Sequence, residues 1–327
     1  MEQLKVTNSS NEFPSLSKLG LGTMRMVGNK EEGIKAIHKA LDSGINFLNT
    51  GDFYGAGESE SIVGQALTGR KRDEAFVSVK FGGLLKADGG MYGIDPRPEF
   101  IENYLVYSLK RLGLDYIDLY EPGRISPHIP VEETIGVMSD LVKKGYIKSI
   151  GVTEVDADTL RRAHATHPIS LVEMSYSLMN RNIENDLLPT ARELGIGVVA
   201  FGVLISGLIG GSNAERKMAF IKQMVPASVA DNFSRNLSLS EALEQIAKEK
   251  DISLAQLAIA WVMAQGEDIL TLVGSRTEVQ LEDTLKALDV RLTKEDLDRI
   301  ESIIPKELAF SSYMPPLNIH PNGLFKH

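Results

Sequence analysis

The sequence predicts an α/β protein of the closed-barrel kind, (β/α)8 or TIM barrel, on three observations. Eight short apolar runs recur along the 327 residues. Segments of helical spacing separate them, which is the signature of a parallel barrel. A doubly wound sheet would want a G-x-G-x-x-G turn after its first strand, and Gly20-Leu21-Gly22 is only a fragment of one.

The strands are expected at Leu19–Leu21, Phe47–Leu48, Phe76–Val79, Ile117–Tyr120, Ile147–Val152, Leu171–Met174, Val198–Phe201 and Leu270–Val273. Between them, Ile34-Ile37-Ala40-Leu41 and Ile62-Val63-Ala66-Leu67 repeat at three and four residues, so each is read as a helix with one buried face. The same spacing marks Ile101-Tyr104-Leu105-Ser108-Leu109, Ile135-Met138-Leu141-Val142, Leu160-Ala163, Leu187-Leu188-Ala191 and Leu281-Thr284-Leu285-Leu288. Ser240 and Thr293 are read as N-caps, the second followed by an acidic first turn. Gly44, Gly145 and Gly195 fall where a helix hands over to a strand, the place for a left-handed C-cap. A long connection from about Leu204 to Asn236 follows the seventh strand, and a tail from Phe310 to His327 follows the last helix. No linker divides the chain, so one barrel domain over residues 1–327 is expected.

Composition narrows the function. Hydrophobic residues make up 43% and charged residues 24%, the balance of a globular protein with a sizeable core. A net charge of −9 argues against nucleic acid or an anionic membrane as partner. The most apolar long segment, Leu254 to Ala264, is too short to cross a bilayer. The absence of cysteine removes thiolate nucleophiles, disulfides and cysteine zinc sites, and His164 and His167 are read as surface residues, so no metal is expected. The polar start, Met1-Glu2-Gln3-Leu4-Lys5, has no signal-peptide character, and a cytoplasmic location is expected.

Two strand ends carry the chemistry. Asn46-Phe47-Leu48-Asn49-Thr50-Gly51-Asp52-Phe53-Tyr54-Gly55 delivers a tyrosine just past one strand, and Val77-Ser78-Val79-Lys80 delivers a lysine from the other. A phenol beside an ammonium has its pKa pulled below the usual value of about 10, which suits proton transfer to a carbonyl oxygen. The same face of a barrel would hold Asn49, Asp52, Glu121, Arg124, Thr153, Glu154, Glu173, Phe201 and Gly274-Ser275-Arg276. Asp52 is read as a turn residue. After the seventh strand, Gly202 to Gly211, including Leu204 and Gly207, offers backbone amides to a pyrophosphate. After the eighth, a helix opening on Arg276 suits a phosphate monoester.

These motifs resemble the aldo-keto reductase family. The resemblance is carried by Gly44-Ile45-Asn46-Phe47-Leu48-x-Thr50-x-Asp52-x-Tyr54-Gly55, by Ser78-Val79-Lys80, by Asp115-Tyr116-Ile117-Asp118-Leu119-Tyr120 and by Gly145-Tyr146-Ile147-Lys148. It runs from Gly20-Leu21-Gly22-Thr23-Met24 to Gly274-Ser275-Arg276. It implies NADPH-dependent reduction of aldehydes or ketones, with Tyr54 as general acid, Lys80 tuning it and Asn49 beside them. Gly22, Thr23, Met24, Asn49, Thr153, Glu154, Glu173, Phe201, Gly202, Leu204, Gly207, Gly274, Ser275, Arg276, Gln280 and Asp283 would hold the cofactor. Phe201 would stack on nicotinamide and Glu173 bind its carboxamide. Tyr54, Glu121, Gly123 and Arg124 would face a small carbonyl substrate.

Two positions depart from the family. Asn49 stands where an aspartate is usual, which would leave Lys80 less screened and Tyr54 more acidic. Gly123 stands where a histidine is usual, opening space and removing a donor to the substrate oxygen. Such a donor is worth about 3 kcal/mol of barrier. The segments Arg124-x-x-Pro127, Pro130-Val131-Glu132-Glu133-Thr134 and Glu173-x-x-Tyr176-Ser177-Leu178 are similar to the pyridoxal reductase branch, making pyridoxal the leading substrate. A nucleotide-binding regulatory module with weak turnover, and a barrel acting on phosphorylated sugars, are the competing readings.

Overall fold

The computed structural model describes residues 1–6, 14–204, 242–306 and 324. Among the described residues ten strands run in chain order: β1 (Leu19–Gly22), β2 (Phe47–Gly51), β3 (Phe76–Phe81), β4 (Gly83–Leu85), β5 (Met91–Ile94), β6 (Ile117–Pro122), β7 (Ile147–Thr153), β8 (Ile169–Ser175), β9 (Gly197–Phe201) and β10 (Ile269–Gly274). Eight of them close a parallel barrel in the order β1-β10-β9-β8-β7-β6-β3-β2. Each coincides with an apolar run expected from the sequence. The remaining two, β4 and β5, form an antiparallel hairpin above β3 that no apolar run announces.

The helices include α1 (Lys30–Asp42), α2 (Glu58–Leu67), α3 (Pro98–Leu112), α4 (Val131–Lys143), α5 (Ala157–Thr166), α6 (Leu187–Leu194), α7 (Leu254–Ala264), α8 (Glu278–Leu285) and α9 (Lys294–Ile303). Their ends follow local chemistry. Thr293 caps α9 through a reciprocal bond with Asp296, and Ser253 does the same for α7 with Gln256. Gly195 ends α6 at φ +70°, a conformation cheap for glycine. Helix α7 is apolar almost all round and correspondingly buried. Among the described residues no helix is long and apolar enough to cross a membrane.

Two apolar layers result. The larger lies between strands and helices and includes Ile37, Ile62, Ile101, Tyr120, Ile135, Val172 and Trp261. The smaller fills the barrel, with Phe47, Phe76, Leu119, Leu171, Val199, Leu270 and Leu272 pointing inward and Leu4 and Leu16 beneath them. Along the inward-facing positions the next residues up are polar: Asn49, Ser78 and Lys80, Glu121, Thr153 and Glu173. That change from apolar to polar marks the functional mouth.

The N-cap expected at Ser240 and most of the loop after β9 lie outside the described residues. So does the tail, apart from Leu324, which bridges Gly93 in β5.

Candidate active site

Strand register sets the site. Asn49 pairs with Ser78 across β2 and β3, Lys80 with Glu121 across β3 and β6, and Thr153 with Glu173 across β7 and β8. All six side chains are buried. The Lys80 ammonium donates to Asn49 Oδ1 at 2.5 Å and to the Glu173 carboxylate oxygens at 2.9 and 3.1 Å. The Asn49 amide donates to Glu173 Oε2 at 2.7 Å and to Ser78 Oγ at 3.2 Å. Glu121 accepts from Ser78 Oγ at 2.8 Å and from Thr153 Oγ1 at 3.2 Å. Space for its carboxyl is left by Gly151, where a methyl group would lie 3.0 Å from Glu121 Oε2.

Charge decides the protonation of this cluster. Burial alone would lower the Lys80 pKa, but Glu173, followed by Tyr54 and Glu121, outweighs it and holds the ammonium above its ordinary value. Burial pushes the Glu121 carboxyl up to about 8, and the neighbouring Glu173 adds to the effect. Lys80 therefore pairs with Glu173, while the Glu121 carboxyl beside them is kept largely neutral near pH 7.

Lys80 Nζ lies 5.4 Å from the centroid of the Tyr54 ring, so tyrosine and lysine do meet at the mouth. Their electrostatics differ from the expectation. Burial raises the Tyr54 phenol, Lys80 opposes that rise, and Glu173 adds to it, so the net shift is upward. The charge at Lys80 is not left unscreened by Asn49, because a carboxylate arrives from β8 instead. Asp52 accepts from the backbone N–H groups of Gly82 and Gly83 at 2.8 and 3.3 Å, which fixes the turn after β2. Burial raises its carboxyl to about 7 against those two donors.

The space expected at Gly123 is taken. A Cβ there would come within 3.1 Å of the Phe53 ring and 3.2 Å of Phe81 O. Phe53 also packs edge-on against Tyr54, with centroids 4.9 Å apart. Sequence reasoning missed Phe53; its signal was an aromatic surrounded by Gly51, Gly83 and Gly123, three strand-end glycines that its ring covers. Glu121 is fully buried and faces into the barrel, so it does not flank a gap. Arg124 is half-buried, its guanidinium donating to Gly123 O at 2.8 Å.

Of the residues expected to hold the cofactor, those described lie at or just beyond the ends of β1, β2, β7, β8, β9 and β10 and on α8. Gly22 pairs with both Gly274 and Asn49, and Thr23 donates through N and Oγ1 to Asn49 O. Met24 is exposed in the short 3-10 helix that follows. Phe201 lies beside Ser175, and Gly202 continues at φ +73° into Val203 and Leu204, while Gly207 lies outside the described residues. Glu154 adopts φ +50° and accepts from Ser175 N. Beyond β10, Ser275 is buried with no hydrogen-bond partner for its Oγ among the described residues, next to exposed Arg276. Gln280 accepts from Arg276 N at 2.9 Å, and Asp283 accepts from Gln256 at 2.7 Å. An orphaned buried hydroxyl, an exposed guanidinium and a helix N-terminus fit a phosphate-bearing group. His164 and His167 are half-buried rather than surface residues, engaged by Ile169 N and Ser139 Oγ.

The sequence pattern of the aldo/keto reductase family matches residues 18–305. The chain belongs to that family and is an oxidoreductase. A probable aldo-keto reductase from Glycine max is 37% identical over 298 residues, covering 89% of this chain and 86% of that protein. The glycerol dehydrogenase from Gluconobacter oxydans superposes with a TM-score of 0.80 at 25% identity, covering 96% of this chain and 99% of the other. The holo form of an aldo-keto reductase from Bacillus halodurans gives 0.79 at 25% identity, again covering 96% and 99%.

Proposed function

We propose that this protein reduces aldehydes or ketones to alcohols with NADPH, and that a small polar aromatic aldehyde such as pyridoxal is its substrate. The observation that carries the reading is the Tyr54 phenol held over the Lys80 ammonium at the C-terminal mouth of the barrel. NADPH, when bound, would supply the hydride. The arc from Gly22 and Thr23 to Ser275 and Arg276 would hold it, with Arg276 on a phosphate.

Tyr54 delivers the proton to the carbonyl oxygen. Its raised pKa keeps the phenol protonated until the oxygen becomes basic, and Lys80 stabilises the tyrosinate that remains. Phe53 holds the ring of Tyr54 edge-on. The chain offers no imidazole at Gly123, so the burden of polarising the carbonyl falls on Tyr54 and Lys80. The regulatory-module alternative draws on Asn49 and Gly123; Glu173 beside Lys80 supplies the carboxylate that Asn49 lacks, and Gly123 still offers no imidazole.

The test is oxidation of NADPH by a panel of aldehydes, ketones and pyridoxal. Tyr54→Phe is expected to lower turnover by about 10²–10⁴-fold, the range for a lost general acid, with NADPH binding nearly unchanged. Wild-type turnover in that variant would remove Tyr54 from the mechanism. Cofactor binding without turnover on any carbonyl would favour the module.

A further inference from the structure

Lys80 is 4% exposed, Glu173 3% and Asn49 1%. An ammonium so deep needs a carboxylate in contact, since a buried charge left unpaired is strongly destabilising. Among the described residues its ion pair is with Glu173 alone, through both carboxylate oxygens. Position 49 holds an amide, and the amide is used at both ends: Oδ1 accepts from Lys80 while Nδ2 donates to Glu173 and Ser78.

We propose that Glu173 on β8 is the counter-ion of Lys80 and a positioning residue for the Tyr54–Lys80 pair, and that Asn49 is the neutral bridge this placement requires. An aspartate at 49 could not donate to Glu173. It would also crowd a third carboxyl onto the one ammonium that Glu121 and Glu173 already face. The family resemblance implies a glutamine at position 173 as it implies an aspartate at 49, so Asn49 and Glu173 form an exchanged pair: the negative charge stands on β8 rather than β2, and the amide on β2 rather than β8. The inference rests on the carbonyl-reductase reading of Tyr54 and Lys80, and extends it to what sets the charge of the lysine.

Three variants test it: Glu173→Gln, Asn49→Asp and the double variant. Two readouts are taken on each: the pH profile of kcat with NADPH and an aldehyde, and the thermal midpoint of the free protein. Glu173→Gln is expected to lower kcat at least ten-fold and to move the alkaline limb to lower pH, because Lys80 loses the partner that keeps it charged. Asn49→Asp alone is expected to lower both kcat and midpoint. The same substitution in the Glu173→Gln background is expected to raise both. Such a reversal of sign is the mark of an exchanged pair, and a merely structural glutamate would not produce it in the pH profile. An unmoved alkaline limb in Glu173→Gln, or Asn49→Asp acting in one direction in both backgrounds, would overturn the proposal. If the wild type oxidised NADPH with no carbonyl, the reductase reading would fall, and the midpoints would still decide whether the charge has been exchanged.

Discussion

Gly123 and Phe53 show how much a single residue can redirect. The glycine removes a side chain from the mouth, yet the vacated volume is filled by an aromatic from the β2–α2 turn. A Cβ at 123 would press on the Phe53 ring at 3.1 Å and on the fixed Phe81 carbonyl at 3.2 Å. Gly123→Ala is therefore expected to lose about 1–3 kcal/mol, the usual cost of overpacking. Gly123→His should lose more, and disturb Tyr54 through the edge-on contact with Phe53. Combining Gly123→His with Phe53→Ala supplies the room and should recover part of the activity that Gly123→His alone loses. Urea denaturation and NADPH-oxidation rates of the single and double variants would check this. Equal losses in both would show that Phe53 does not occupy the histidine space.

Elements were legible where one physical signal dominates. Each barrel strand is short, apolar and bounded by polar or glycine residues, so all eight could be read from runs such as Phe76–Val79, and α9 from Thr293 with its acidic turn. The β4–β5 hairpin was not, because Gly83–Leu85 and Met91–Ile94 mix glycine with exposed residues and bury little. Tyr54 and Lys80 were legible as strand-end residues, whereas the Lys80–Glu173 contact spans 93 positions and depends on barrel closure. Helix packing was equally hidden: a methyl on Gly64 of α2 would lie 2.3 Å from the Leu112 carbonyl of α3. Backbone cannot yield as a side chain can, so Gly64→Ala is expected to force α2 away from α3 and destabilise by about 1–3 kcal/mol, measurable by thermal unfolding. At α8, Arg276→Ala removes an exposed guanidinium beside the helix N-terminus. It is expected to weaken NADPH more than NADH in a fluorescence titration, because only NADPH carries the additional phosphate. Equal weakening of both would place Arg276 elsewhere on the cofactor.

The whole molecule carries a pH signature written by its buried acids. Folding raises Asp52 from 3.8 to about 7 and Glu121 from 4.5 to about 8, in both cases chiefly by burial. Between the unfolded and folded values the native state binds more protons than the unfolded chain, so stability falls as pH rises. The contribution is complete below about pH 4 and is lost on passing through 7 to 8. A tenfold difference in proton affinity between the folded and unfolded chain is worth about 1.4 kcal/mol, enough to be visible in a denaturation midpoint. Opposing effects act below pH 4, where surface carboxylates paired with arginine, such as Glu132 with Arg162, lose their charge. The expected profile is thus a maximum on the acid side of neutrality and a decline through pH 8. Glu121→Gln mimics the neutral acid, keeps an acceptor for Ser78 and cannot ionise. It should match the wild type at pH 5, exceed it at pH 8.5 and flatten the decline between them. A variant that stayed less stable than the wild type at pH 8.5 would mean that ionising Glu121 costs the folded protein nothing, and that burial does not raise its carboxyl as stated.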